Sequence, residues 1–515
     1  MLRSALLLAA ALSQACPGAQ AQDAAPARGL SLLEAVQAAL ERNADLLVAR
    51  TSVDAALGAA QQLQGALDPV LGAQMQQSRA QESLAQLDRA AFAAAGVTAA
   101  DQRIDSRIGQ VSLSRQFANG MQASIGAIHS SLRDNTDALL GAPPQKSGAL
   151  TFQITTPLLR KPGIAPLGAA LDAEVEAATL EQEFAAAQTT RDVALAYWNA
   201  QSCAERLRIA RASERRSEEL LADLRRLVAA DEVPRADLQL AQASLSVRRS
   251  SRLAAQQSLL DARRALGRLL GLDAASIERL DALSDRPPGT RSGMEMPQAD
   301  DTQAADALRR RADLAALGRR VQAATLRRES VQEQNRPQLD LVLSATRRGL
   351  AESDGPAWLP AFTHRAGPGW GVGLNYQIAL GERAALGALR QQDALVQALR
   401  VREQDLGAAI ESGVRIAAQA LQSAAEQLDE AGRAVAGYRA TVENERTRRR
   451  LGLVTLIEEL TVEDRYNDAL LLEAQAREGY ASAIARWRFE TGTLVQRAGA
   501  RYTSRVDALF DPTVQ

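Results

Sequence analysis

The sequence contains itself twice, and that duplication limits the fold more than any other feature. Ala44-Asp45-Leu46 recurs in the second half of the chain as Ala312-Asp313-Leu314. At the same offset Val53, Ala55 and Ala56 recur as Val321, Ala323 and Ala324, and Pro69 as Pro337. The correspondence needs no gap from Ala44 to Pro69. Each copy ends at a proline, which stops a helix because it has no N–H and clashes with the preceding turn. The copies read as residues 29–275 and 304–495, joined by a linker at 276–303 and followed by a tail at 496–515.

After its proline, each copy turns to strand-like sequence. Trp370, Val372, Leu374, Tyr376, Ile378 and Leu380 alternate with Gly371, Gly373, Asn375, Gln377 and Ala379. A period of two marks a strand with one apolar and one polar face. Leu339, Leu341 and Leu343 alternate likewise, as do Leu150, Phe152 and Ile154, and more weakly Leu71, Ala73 and Met75. Val111 to Phe117 and Met121 to Ala127 flank Asn119-Gly120, a hairpin turn signal. Such strands fit a soluble sheet face or a membrane barrel with lipid outside and water inside. Trp358, Phe362, Trp370 and Tyr376 crowd together in a chain with only 3 % aromatics. They fit a membrane-interface girdle or ordinary packing. The first β segment, 69–158, is much longer than the second, 337–380, and within it Glu82 to Gln102 reads as an irregular exposed loop.

The largest part of each copy is helical. No proline occurs from Glu382 to Leu451, and a helix of that length spans ~105 Å. Val414, Leu421, Leu428, Val435 and Val442 keep a seven-residue step, with Ile410, Ala417, Ala424, Ala431 and Tyr438 as a companion series. This is a coiled-coil seam with a small-residue side that lets helices approach closely. Leu238, Leu245, Leu259 and Leu266 keep the same step in the first copy, interrupted at Arg252. Each long helix reverses at a short break: Ala230-Asp231-Glu232-Val233-Pro234 in one copy, Leu451-Gly452-Leu453-Val454-Thr455 in the other. Pro234 suits a helix start. Thr455 with Glu458, and Ser31 with Glu34, spell capping boxes. Basic residues end the incoming helices and acidic residues open the outgoing ones, complementing the helix dipoles.

Composition narrows the functional classes. Sixty basic residues against 61 acidic ones leave a net charge of −1, with no nucleic-acid footprint. Arg3, the apolar run Ala5 to Leu12 and Ala19-Gln20-Ala21 form a secretory signal cleaved after residue 21. Cys16 offers lipidation instead, although Ser13-Gln14-Ala15 before it lacks the expected apolar residue. Cleavage leaves Cys203 alone, a small buried hydrophobe without disulfide or zinc partners. The two histidines, His129 and His364, sit in or near β segments and do not form a catalytic pair. Gly367, Gly369, Gly371 and Gly373 open a strand and lack a phosphate-loop lysine. The residues give no nucleophile motif and no cofactor or metal spacing, so an enzyme is not expected.

Leu30-Ser31-Leu32-Leu33-Glu34-Ala35-Val36 followed by Asn43-Ala44-Asp45-Leu46 resembles the opening of the TolC-type outer-membrane efflux and secretion channels. Thr156-Pro157-Leu158-Leu159 is similar to that family's strand-to-helix junction. Glu232 to Leu238 and Gly452 to Glu458 resemble its two periplasmic hairpin tips. The resemblance implies a mainly α-helical periplasmic barrel plus a shared membrane β-barrel. It implies a homotrimer whose protomers each give four main strands to twelve. It also implies outer-membrane lipid around the barrel, and a periplasmic adaptor and inner-membrane transporter as partners. The tips Asp231, Glu232, Val233, Pro234, Gly452, Leu453, Val454 and Thr455 would contact the adaptor. The family's two gate aspartates fall on Glu458, which keeps the charge, and Thr461, which does not. Its constraining Arg and Tyr positions fall on Val454 and Arg449, and at the first tip Asp231 replaces the usual glycine. The gate candidates are therefore Glu458, Thr461 and Arg449. A periplasmic coiled-coil adaptor without a channel is the alternative, and it should carry one helical hairpin rather than two.

Overall fold

The computed structural model describes residues 29–512 except 97, 99, 136–137, 139–140, 142, 161–163, 232–233, 279–282, 291–296, 298–299, 353–366, 452 and 500. The expected leader, Cys16, Glu232, Val233, Trp358, Phe362, His364 and Gly452 lie outside the described residues. Helix α1 (Leu32–Arg42) opens at the Ser31–Glu34 box, where the Ser31 N–H donates to Glu34 Oε2 at 2.9 Å and the Glu34 N–H to Ser31 Oγ at 3.2 Å. It breaks at Asn43, whose side chain caps α2 (Ala44–Gly65) by accepting from the Asp45 N–H at 2.9 Å.

Next come β1 (Val70–Ser83), α3 (Gln86–Ala94), β2 (Asp101–Gln116), β3 (Gln122–Asp134) and β4 (Gln145–Pro157). Helices α4 (Ile164–Ala229), α5 (Arg235–Leu269) and the short α6 (Ala274–Glu278) follow. Then come α7 (Asp301–Arg310), α8 (Ala312–Gln334), β5 (Gln338–Glu352), β6 (Gly367–Gln377), α9 (Arg383–Arg450) and α10 (Leu456–Glu490). A hairpin of β7 (Val495–Ala498) and β8 (Arg501–Ser504) and a 3-10 turn (Val506–Leu509) complete the described chain. The duplication is visible in these bounds. Ala312 opens α8 as Ala44 opens α2, and at the same offset Gln338 opens β5 as Val70 opens β1. Helices α5 and α10 also match end to end at a single offset, Arg235 with Leu456 and Leu269 with Glu490.

The chain divides into two compact units. One contains residues 1–41, 192–291 and 427–482; the other contains 42–191, 292–426 and 483–515. The helices bury the apolar steps seen in the sequence. Val414, Leu421, Leu428, Val435 and Val442 of α9 are all buried, with Ile410, Ala417 and Ala431 beside them. Ala424 and Tyr438 are only half-buried. In the first unit Leu220, Leu221 and Leu224 of α4 pack with Ala241 and Leu245 of α5 and with Leu456, the first residue of α10. Residues after the expected linker start are also anchored there: the Tyr197 hydroxyl donates to Leu30 O at 2.8 Å and accepts from the Asp285 N–H at 3.1 Å. Burial pushes the pKa of that tyrosine up to about 12.

The second unit holds one six-stranded sheet in the order β1-β2-β3-β4-β5-β6, every neighbour antiparallel. The sheet of the single chain therefore has six strands, two more than the four main strands that the resemblance implied. The β2–β3 hairpin is inserted between β1 and β4 rather than set apart from them. Its turn is the one the sequence signalled: Gly120 takes φ 85° and the Asn119 side chain accepts from the Met121 N–H at 3.0 Å. The stretch Glu82 to Gln102 is also corrected. It contains strand ends and helix α3, because its alanines favour helix once the chain leaves the ladder.

Candidate functional site

Ladder partners share a face of a sheet, and successive residues alternate between faces. One row can thus be followed across the whole sheet: Leu71, Leu113, Ile125, Phe152, Ala345 and Trp370. Every member is apolar. Ala73, Met75, Val111, Ala127, Leu150, Ile154, Leu341, Leu343, Val372, Leu374 and Tyr376 extend this belt on the same face. The adjoining row faces the other way: Gly72, Ser112, Gly126, Thr151, Thr346 and Gly369. Small, uncharged and polar, it suits contact with water. Among the described residues much of the apolar belt is left uncovered, for Met75 is 83 % and Trp370 85 % exposed. Continuous exposed apolar area of this kind needs a non-aqueous partner.

The belt has a charged border on the side away from the long helices. There Arg79 pairs with Asp105 at 2.5 Å, and Arg107, Lys146 and Arg347 share the belt's face. Of the four aromatic residues expected at an interface, Trp370 and Tyr376 lie on the belt. No helix among the described residues is long and apolar enough to cross a membrane.

The helix tips lie in the first unit. At the end of α4, Asp231 adopts φ 60°, the left-handed conformation that favours glycine. Pro234 is extended and caps α5 through its backbone alone. At the second tip the Leu453 N–H reaches back to Arg448 O at 3.0 Å, and Leu451, Leu453 and Ile457 expose their side chains. Val454 is half-buried. Thr455 opens α10: its N–H donates to Glu458 Oε2 at 2.7 Å, and its hydroxyl donates to the same oxygen at 3.1 Å. These bonds to its ionised form hold the Glu458 carboxyl below the usual range.

Glu458 is exposed to solvent and occupied by this cap. Thr461 is exposed too, and its hydroxyl donates to Ile457 O at 2.7 Å. The third candidate, Arg449, pairs with Glu459, one position further on. The structure therefore does not bring the three candidates together. It builds instead a buried polar chain that the sequence reading missed. Glu459 and Glu463 of α10 are buried. Glu459 faces Arg449 and Arg446 of α9, and Glu463 lies 3.5 Å from Arg446 and 2.5 Å from Arg216 of α4. Arg216 donates to Asn467 Oδ1 at 2.6 Å, and the Asn467 amide donates to Ser213 Oγ at 3.1 Å. Arg248 of α5 pairs with Asp464. Burial pushes the Glu459 carboxyl up, against the pull of Arg449. A signal did exist in the sequence: Glu459 and Glu463 are one helical turn apart on α10, as are Arg446 and Arg449 on α9.

The second unit has its own buried cation. Arg311 occupies the position that Asn43 holds in the first copy. It donates to Asp313 at 2.9 and 2.8 Å and to Glu490 at 2.8 Å, and it stacks on Phe184 and Phe489 at 5.2 and 4.9 Å. Among the described residues no group of three or more His, Cys, Asp or Glu side chains is arranged to hold a metal.

No protein-family model matches the sequence, and no curated protein matches it. Solved structures do. The CmeC outer-membrane channel of Campylobacter jejuni is 14 % identical with a TM-score of 0.68, covering 90 % of this chain and 85 % of that one. The outer-membrane channel OprN is 19 % identical with a TM-score of 0.66, covering 90 % of each chain. The outer-membrane protein VceC of Vibrio cholerae is 16 % identical with a TM-score of 0.65, covering 90 % of this chain and 96 % of that one. The chain thus has the fold of these outer-membrane channels, with a helical portion and a β-sheet portion.

Proposed function

We propose that the chain is one protomer of a homotrimeric outer-membrane channel of the TolC type, extending into the periplasm. It conducts solutes passively, without enzymatic chemistry, from a periplasmic adaptor and an inner-membrane transporter to the exterior, in efflux or type I secretion. The observation that carries this reading is the two-faced sheet. Its apolar belt faces one way, its polar and glycine row faces the other, and among the described residues neither edge strand has a ladder partner on its outer side. In lipid such edges leave backbone groups unpaired, and only closure with further strands satisfies them. The solved channels that share the fold support the same conclusion. On this reading residues 29–275 and 304–495 are two copies of one helix–sheet–hairpin unit.

The helical tips then form the periplasmic end. The exposed Leu451, Leu453 and Ile457 offer an adaptor apolar contact, and Asp231 and Pro234 shape the companion tip. The gate is built from Arg449, Arg446, Glu459, Glu463 and Arg216 rather than from Glu458 and Thr461. Cell fractionation and planar-bilayer recording test the reading together. Heat-modifiable trimers in outer membranes with stepwise conductance are expected. Soluble periplasmic monomers, the behaviour of an adaptor, would refute it.

A further inference from the structure

We infer that the barrel has eighteen strands, six from each of three copies, with the β2–β3 hairpin built into the lipid-facing wall. The inference rests on the channel reading above for the copy number. The wall itself is argued from the sheet.

Three features of the ladder support it. First, the hairpin carries the same polarity as its neighbours at the same level. Val111, Leu113, Ile125 and Ala127 continue the apolar belt, while Ser112 and Gly126 continue the polar row. An extracellular extension would have no reason to match the belt residue for residue. Second, six is an even number, so β1 and β6 run in opposite directions. The β6 edge of one copy can therefore pair antiparallel with the β1 edge of the next, head to tail, and close a ring. Among the described residues β1 and β6 each have a ladder partner on one side only.

Third, the stagger is right for closure. The row through Val70 meets β2 at Ser114, β4 at Gln153 and β6 at Gly371. On the side of the long helices those strands run past this row by two, four and six residues, to Gln116, Pro157 and Gln377. One residue of shift per strand corresponds to a tilt of ~35° at ordinary strand spacing, within the range of closed barrels. Eighteen strands at that tilt enclose a ring ~34 Å across between backbones, about 1.5 times the diameter of a twelve-stranded one. Rings of that strand number leave an aqueous channel. The exit opening therefore has about twice the cross-section, suited to a bulky or polymeric cargo.

With the helix-side strand ends level, Val70 of one copy meets Gln377 of the next, and Ala73 meets Leu374 on the lipid face. The test uses the full chain carrying Cys203→Ser, reconstituted in phospholipid vesicles. Oxidation of Ala73→Cys with Leu374→Cys should yield covalent trimers, and neither single variant should. Nitroxide labels at Val111→Cys and Ile125→Cys should be several-fold more accessible to oxygen than to a nickel chelate, with the order reversed at Ser112→Cys and Ser124→Cys. Inserted trimers whose hairpin labels all favour the nickel chelate would overturn the eighteen-strand wall while leaving the channel reading intact. Inserted trimers that never cross-link would overturn the β1–β6 junction. A parent chain that neither trimerises nor inserts would defeat the channel reading, and this inference with it.

Discussion

The two buried ionic clusters are built to different ends. In one unit Arg311, only 7 % exposed, is enclosed by two carboxylates and two aromatic rings. All its partners are close, and only the Phe489 ring also meets a second cation, Arg191, 4.3 Å from the ring centroid. In the other unit the carboxylates are the buried members, and three arginines reach them from two neighbouring helices with water at their backs. There each glutamate has more than one cation, so one pairing can be exchanged for another. The first arrangement holds elements in place. The second can change partners as helices slide, which is what a gate requires.

The sharpest way to break this contrast is to remove the cation from each. Arg311→Ala strands Asp313 and Glu490 as half-buried carboxylates without their cation, and it should cost about 3 kcal/mol. A large fall in the urea midpoint of the folded protein is expected. A cost near that of a surface substitution would show that Arg311 is not the clamp described here. Glu459→Gln keeps the shape and one acceptor but releases Arg449, whose other side meets water. It should cost less, about 1–3 kcal/mol. Its main effect should appear in single-channel recordings as a higher open fraction.

Acidity sharpens the same comparison. The folded pKa of Glu459 is raised above its ordinary value of 4.5. A raised carboxyl favours the protonated folded state, so its contribution to stability is full below 4.5 and declines as pH rises through the folded value. The pairing with Arg449 has the opposite demand, since it needs the charge. As pH falls from neutral toward 4.5, the gate should therefore loosen before the fold does. Glu458 runs the other way. Its pKa is lowered, so the cap it gives α10 is intact above 4.5 and fails only as pH drops through the lower value. Conductance of the parent channel should rise over the upper window. In Glu459→Gln it should already be high and flat there, and in Glu458→Ala it should keep its slope.

How much of this was legible in the sequence depends on the range of the interaction. Val414 through Val442 announced their seam because a helix repeats its environment every seven residues. The Asn119-Gly120 turn was equally plain, because hairpin geometry is decided within a few residues. That β2 and β3 lie between β1 and β4 was not plain. Strand order is a long-range choice, and beyond the belt β1 becomes a polar run, Gln76-Gln77-Ser78-Arg79, that shows no alternation. The Arg449–Glu459 pairing was missed by one residue for a related reason. Thr455 and Glu458 satisfy each other locally, which turns Glu458 outward and leaves Glu459 facing α9.

The first tip offers a smaller test. Asp231 holds φ 60°, which costs any residue with a Cβ some backbone strain, although aspartate tolerates it better than most. Asp231→Gly should stabilise the folded protein by about 0.5–1 kcal/mol without altering conductance. A change in adaptor-dependent export at unchanged stability would instead assign the carboxylate to docking.

Thr461 gives the smallest effect, and it decides which of the two gate descriptions is right. The resemblance places it at a charged ring. The geometry places it on an exposed face of α10, its hydroxyl already donating to Ile457 O. Substitution by valine removes that local bond and nothing else, so Thr461→Val should shift stability by no more than ~0.5 kcal/mol. Conductance, open fraction and pH slope should match the parent channel. A Thr461→Val channel with altered cation block would mean that the pore lining runs along this face, and that the Arg449–Glu459 pairing lies behind the gate rather than within it.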